Sequence, residues 1–203
     1  SRGLGDVYKR QYEEDGATLL AHLEKIVQYN VQSSDKEKFD GVMLDIEPYI
    51  SDSWKENPEE YMDRYISCMK KGYKFAQKNH LRTAICIPRH YDNQGLTSGL
   101  EELIKETCDE VAVMNYSCGN EIEAIRTEAA LSEKYGKELH CILEFQEVGK
   151  HGLTENKTYR NKGIDNAKET WEKLQKEYKN INVTRDYHWS RPVREMLEEK
   201  NAD

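Results

Sequence analysis

Asp45 and Glu47 stand two residues apart in Phe39-Asp40-Gly41-Val42-Met43-Leu44-Asp45-Ile46-Glu47-Pro48, an apolar run interrupted by acids and ended by proline. On a strand, residues two apart project to the same side, so Met43, Asp45 and Glu47 share one face and Val42, Leu44 and Ile46 fill the other. Two carboxylates side by side at the end of a buried strand are costly, because neither neutralises the other and both lose water. Such a pair suits general acid–base chemistry, in which one carboxyl group hands over a proton while the other orients or stabilises. Tyr49 follows directly. Further polar and aromatic groups recur at the ends of later apolar segments: Arg89, His90 and Tyr91; Asn115 and Tyr116; Glu144 and Gln146; Tyr187, His188 and Trp189.

The elements that must position these groups alternate between helix and strand. Leu19, Leu20, Leu23, Ile26 and Val27 form one helical face over 16–30. Residues 39–47 read as the first strand. Asn57 and Pro58 open a helix that runs to Asn79. Strands are predicted over 82–88, 110–116, 138–145 and 182–189. Helices are predicted over 100–106, 120–135 (stopped by Gly136), 163–179 and 191–199. Nearly continuous apolar strands separated by amphipathic helices predict a parallel sheet covered by helices. No glycine-rich loop follows any strand, which removes support from nucleotide-binding folds. Five strand ends that carry functional side chains fit the way a (β/α)8 barrel builds its site. About five strands on a chain of 203 residues, against roughly 250 for a whole barrel, predict the C-terminal part of one, with the first three strands missing.

The first eleven residues, Ser1 to Gln11, match the translation of a transposon-based sequencing adapter. They are read as not native, which leaves 12–203 as the barrel portion of a gene whose beginning is absent. The chain is 33% charged and 37% apolar with a net charge of −8, the composition of a globular domain. Interspersed acids and bases argue against a nucleic-acid partner, and no apolar run reaches the roughly 20 residues of a membrane span. Five scattered cysteines without a C-x-x-C pair read as buried thiols, and the histidines show no metal-ligand spacing. No metal and no cofactor are expected.

Phe39 to Glu47 resembles the signature strand of glycoside hydrolase family 18, the chitinases and their relatives, which reads D-G-x-D-x-D-x-E. Asp40, Gly41, Asp45 and Glu47 match, and Met43 stands where the middle acid belongs. Met114-Asn115-Tyr116 is similar to the sixth-strand segment of that family, and Trp189 takes the place of its eighth-strand tryptophan. The resemblance implies hydrolysis of glycosidic bonds in a polysaccharide or glycan, with Glu47 as the general acid. Asp45 would orient the substrate's acetamido group for its attack on the anomeric carbon. Tyr116 would hydrogen-bond that group and Trp189 would floor the sugar, with Asn115, Tyr187, His188, His90 and Tyr49 as further lining. A secreted or cell-envelope parent is favoured, with a cytoplasmic one as the alternative.

Two rivals accompany this expectation. Glu47-Pro48 and Glu144 also fit a retaining two-glutamate glycosidase in which Glu144 is the nucleophile. A barrel that binds carbohydrate without turning it over is the other, and Met43 is the residue that feeds it. Structural readings stand beside these. Glu144 reads equally as an ion-pair partner, His90 as a loop cap, Met43 as a core filler, and Tyr61, Tyr65 and Phe75 as packing of their helix.

Overall fold

The computed structural model describes residues 16–200, so the adapter-like segment 1–11 lies outside the described residues. The fold is α/β: five parallel strands form one sheet in chain order, flanked by helices. The chain divides into two compact units, 1–110 and 111–203. Among the described residues no helix is long and apolar enough to cross a membrane.

In the first unit, helix α1 (Ala17–Gln32) buries Leu19 and Leu23. Strand β1 (Gly41–Asp45) pairs in parallel with β2 (Arg82–Pro88), in register from Gly41 opposite Arg82 to Asp45 opposite Cys86. A short helix α2 (Asp52–Glu56) starts where Ser51 Oγ accepts the Trp54 N–H. Helix α3 (Pro58–Lys78) starts where the Asn57 side chain accepts the Glu60 N–H and Pro58 fills the first position. Helix α4 (Thr97–Thr107) closes the unit. The helices and β2 enclose a core that includes Tyr65, Met69, Ile85, Ile87, Leu100, Leu103 and Ile104. Gly72 is a point of close approach in α3, since a Cβ there would stand 2.5 Å from Leu19 Cδ2.

Strand β3 (Glu110–Met114) leads into the second unit, which holds α5 (Glu121–Ala124), α6 (Arg126–Tyr135), β4 (Glu138–Glu144), α7 (Gly163–Glu177), β5 (Val183–His188) and α8 (Ser190–Lys200). Gly136 ends α6 in the left-handed conformation, φ 63°. Strands β4 and β5 pair in parallel from Leu139 opposite Val183 to Glu144 opposite His188. The Trp171 indole of α7 donates to the Cys141 carbonyl across 2.9 Å, tying helix to strand. Four of the five cysteines are buried and Cys118 is half-buried. Burial pushes the Cys141 thiol up to about 12.

Three expectations are corrected. The first strand is not buried. β1 lies first in the sheet order with β2 as its strand neighbour, and Met43 is 50% exposed, so it is no core filler. The strand also stops at Asp45, and Glu47 lies two residues beyond it at φ −113° and ψ 72°, directly before a 3-10 turn, Pro48–Ile50. The helix expected over 120–135 is two, broken at Ile125, whose backbone (φ −125°, ψ 19°) leaves the helical region while its side chain is fully buried.

Gly41 of the acid motif is required on steric grounds. A Cβ there would meet the Arg82 carbonyl oxygen at 2.9 Å, a backbone atom that cannot swing aside. Gly41→Ala is therefore expected to force β1 away from β2 and to cost about 1–3 kcal/mol, the usual toll of overpacking. Denaturant unfolding measures this, and an unchanged midpoint would refute the close approach.

Candidate functional site

The first unit presents one cluster. β1 delivers Asp45 at its last residue and Glu47 two residues on, while the end of β2 continues into His90 and Tyr91. Asp45 is exposed, and its side chain makes no hydrogen bond among the described residues. Glu47 is half-buried, and the Tyr49 hydroxyl donates to its Oε1. No partner for Oε2 exists among the described residues.

The Tyr49 ring sits edge-on to His90, centroids 5.2 Å apart, and to Tyr91 at 6.1 Å. Tyr91 in turn packs on Trp54 at 5.5 Å, and both are buried. The Tyr91 hydroxyl is buried and has no hydrogen-bond partner among the described residues. Burial first, then the hydrogen bond and charge of Glu47, push the Tyr49 phenol far above its ordinary value. Burial and then the Glu47 charge do the same to Tyr91. Both phenols thus stay protonated donors. Burial, aided by Arg89 and opposed by Asp92, holds His90 below its ordinary value, so its imidazole is neutral at pH 7.

The second unit presents another cluster, built on the β4–β5 register. Glu144 ends β4 opposite His188 and is 2% exposed. Its Oε1 accepts the backbone N–H groups of Phe145 and Gln146, each at 2.8 Å. Its Oε2 accepts the Gln146 amide at 3.1 Å and the His188 Nδ1 at 2.9 Å. All four acceptor positions of the carboxylate are filled.

Burial pushes Glu144 upward, but His188 and the two donors of Gln146 together outweigh it, and the group rests below its ordinary value. Thr158 fixes the collar by donating to the Gln146 carbonyl at 2.6 Å. His188 is 46% exposed at its side chain and faces the Tyr116 ring, centroids 6.1 Å apart. The Tyr187 ring, exposed, stands edge-on to Phe145. Trp189 follows a cis peptide bond. It is 48% exposed and lines a small cavity of about 240 Å³ with Gln146 and Arg160.

The structure thus brings Glu47, Tyr49 and His90 into contact in the first unit, and Glu144, His188 and Tyr116 in the second. Asn115 lies elsewhere: it is fully buried, and its amide donates to the Glu121 carbonyl at 3.0 Å and to Cys141 Sγ at 3.5 Å. It fastens the turn after β3 rather than facing solvent. Sequence reasoning missed Trp54 as the backing of the Tyr49–Tyr91 nest. Its signal was available in Ser51, a helix cap placed directly behind Glu47-Pro48-Tyr49. No protein-family model matches this chain, and no curated protein matches it.

Because Glu144 is held below its ordinary value of 4.5, its ionised form favours the folded state. That contribution is complete above about pH 4.5 and is lost as pH falls through the lowered folded value. Wild type should lose unfolding stability steeply below pH 4.5, and Glu144→Gln should flatten that limb. Equal slopes in acid unfolding curves of the two proteins would refute the collar's role.

Proposed function

We propose that this protein hydrolyses glycosidic bonds in a polysaccharide or glycan, with Glu47 as the proton donor. The observation that carries the proposal is the contrast between the two strand-end glutamates. A general acid needs one oxygen held in place and the other open to the leaving group. Glu47 has this: Tyr49 holds Oε1 and Oε2 has no partner among the described residues. Glu144 has all four acceptor positions occupied, which suits a residue that orients His188 better than a nucleophile that must attack carbon. The single-acid reading is therefore favoured over the two-glutamate one.

The family 18 resemblance adds roles to this geometry. Glu47 gives its proton to the glycosidic oxygen as the bond to the anomeric carbon breaks, and the substrate's own acetamido oxygen closes on that carbon. Asp45, at the end of the same strand, would orient the acetamido nitrogen. Within the second unit, the same resemblance would assign Trp189, 48% exposed, to lay its indole face on the apolar side of a pyranose ring.

The barrel belongs to the same proposal. A doubly wound sheet reverses its strand order at a switch point, whereas these five strands follow one another in chain order without reversal. Consecutive strands of a (β/α)8 barrel have that order, and their C-terminal ends carry the site. A second reading, a carbohydrate-binding barrel without turnover, is favoured by Met43, exposed where the family places an acid.

Two experiments test the proposal. On a panel of chromogenic aryl glycosides and chito-oligosaccharides, Glu47→Gln should lower kcat by about 10²–10⁴-fold and leave binding intact. Tyr49→Phe should lower kcat roughly tenfold, the worth of one hydrogen bond, with little change in KM. Turnover untouched in Glu47→Gln would sink the proton-donor role. Saturable glycan binding with no turnover in wild type would establish the binding reading instead.

A further inference from the structure

Within the second unit, a cleft of about 770 Å³ opens between the turn that follows β3 and one face of α7, from Asn166 to Glu177. Its walls carry Asn120, Glu121, Lys162, Asn166 and Thr170. None of these belongs to the clusters around Glu47 or Glu144.

Glu121 is the group that needs explaining. It is 8% exposed, yet no lysine, arginine or histidine pairs with it among the described residues. Oε1 is fixed by two neutral donors, the Gly119 N–H at 2.9 Å and the Tyr159 hydroxyl. That hydroxyl is itself braced by Thr170 Oγ1 at 2.7 Å. Burial and then the hydrogen bond to Glu121 push the Tyr159 phenol far above its ordinary value, so it remains a donor. Oε2 has no hydrogen-bond partner among the described residues. Glu121 lines the cleft, so this oxygen is left to whatever fills it, and a carboxylate so largely withdrawn from water is costly to leave without a counter-charge. Lys162 Nζ lies over the Tyr159 ring, 5.7 Å from its centroid, and neither Lys162 nor Lys173 forms an ion pair with Glu121 among the described residues.

We infer that this cleft is a binding site for a small hydroxylated primary amine, whose ammonium group completes the coordination of Glu121 Oε2. The ammonium supplies both missing elements, a hydrogen-bond donor and a compensating charge. The exposed amides of Asn120 and Asn166, from opposite walls, offer donors and acceptors to hydroxyl groups on the same ligand. The size fits: ligand clefts span about 300–1,000 Å³. The inference does not depend on the role of Glu47, so the two fail separately.

The probe is glucosamine, with glucose and N-acetylglucosamine as neutral matches of the same ring, followed by NMR chemical-shift titration of the whole chain. Glucosamine should bind saturably and at least tenfold more tightly than either neutral sugar. Its shifts should centre on residues 119–123 and 159–173, and its affinity should fall as pH is raised past the amine's own pKa. Glu121→Gln keeps an acceptor for Tyr159 and Gly119 and should lose that tenfold preference. Asn166→Ala, on the exposed wall, should weaken glucosamine binding without disturbing the fold. Equal affinity for the three sugars, absence of saturable binding, or an unchanged preference in folded Glu121→Gln would each overturn the inference.

Discussion

In-register parallel pairing is the constraint on which both clusters depend. Parallel strands that keep step along their length end level with one another, and whatever follows the last pair is delivered side by side. β1 and β2 keep step from Gly41–Arg82 to Asp45–Cys86, so the residues just beyond, Glu47 with Tyr49 on one chain segment and His90 with Tyr91 on the other, meet ring to ring. β4 and β5 keep step to Glu144–His188, which sets a carboxylate directly opposite an imidazole. A slip of one residue in either pair would send the slipped strand's side chains to the other face and dissolve the cluster at its end. Gly41 guards that register in the first unit, because the Arg82 carbonyl comes too near to admit a side chain.

The two glutamates show how the same residue type is given different roles by what surrounds it. Glu144 sits in a collar of N–H donors formed by the chain's own turn, two of them from backbone. Backbone donors cost no side-chain entropy to hold, and several of them on one carboxylate stabilise its charge. Glu47 has one phenol and an aromatic wall. Fewer donors leave one of its oxygens without a partner among the described residues, and the aromatic rings border it on one side.

Much of the fold was legible because apolar periodicity changes from two to about 3.6 between neighbouring segments. The strand over 82–88 and the start of the helix at Pro58 are recovered as expected, the first from an unbroken apolar run, the second from a side-chain cap and a proline. What escaped was whatever depends on neighbours remote in sequence. Met43 looks like core on its own strand, and its exposure follows from the place of β1 in the sheet order, which no local pattern encodes. Ile125 breaks a helix that its flanking residues support. In the two clusters, Glu47 and Tyr49 of the first and His188 of the second were visible as strand-end polar groups. Asn115 was visible too, but its burial was not, since an amide facing solvent and one bonded to the Glu121 carbonyl have the same sequence. Glu121 gave no signal at all: a glutamate at the head of a helix reads as a solvated residue, and only Tyr159, 38 positions away, reveals otherwise.

The ring nest around Glu47 has an electrostatic corollary. Its two phenols are displaced upward by burial and its imidazole downward, so from neutrality into the mildly alkaline range none of the three changes charge. Glu47 is thereby surrounded by neighbours that are silent in titration. Across that range the nest presents fixed dipoles and no change of charge, so the field its three rings exert on a bound molecule stays constant while pH varies.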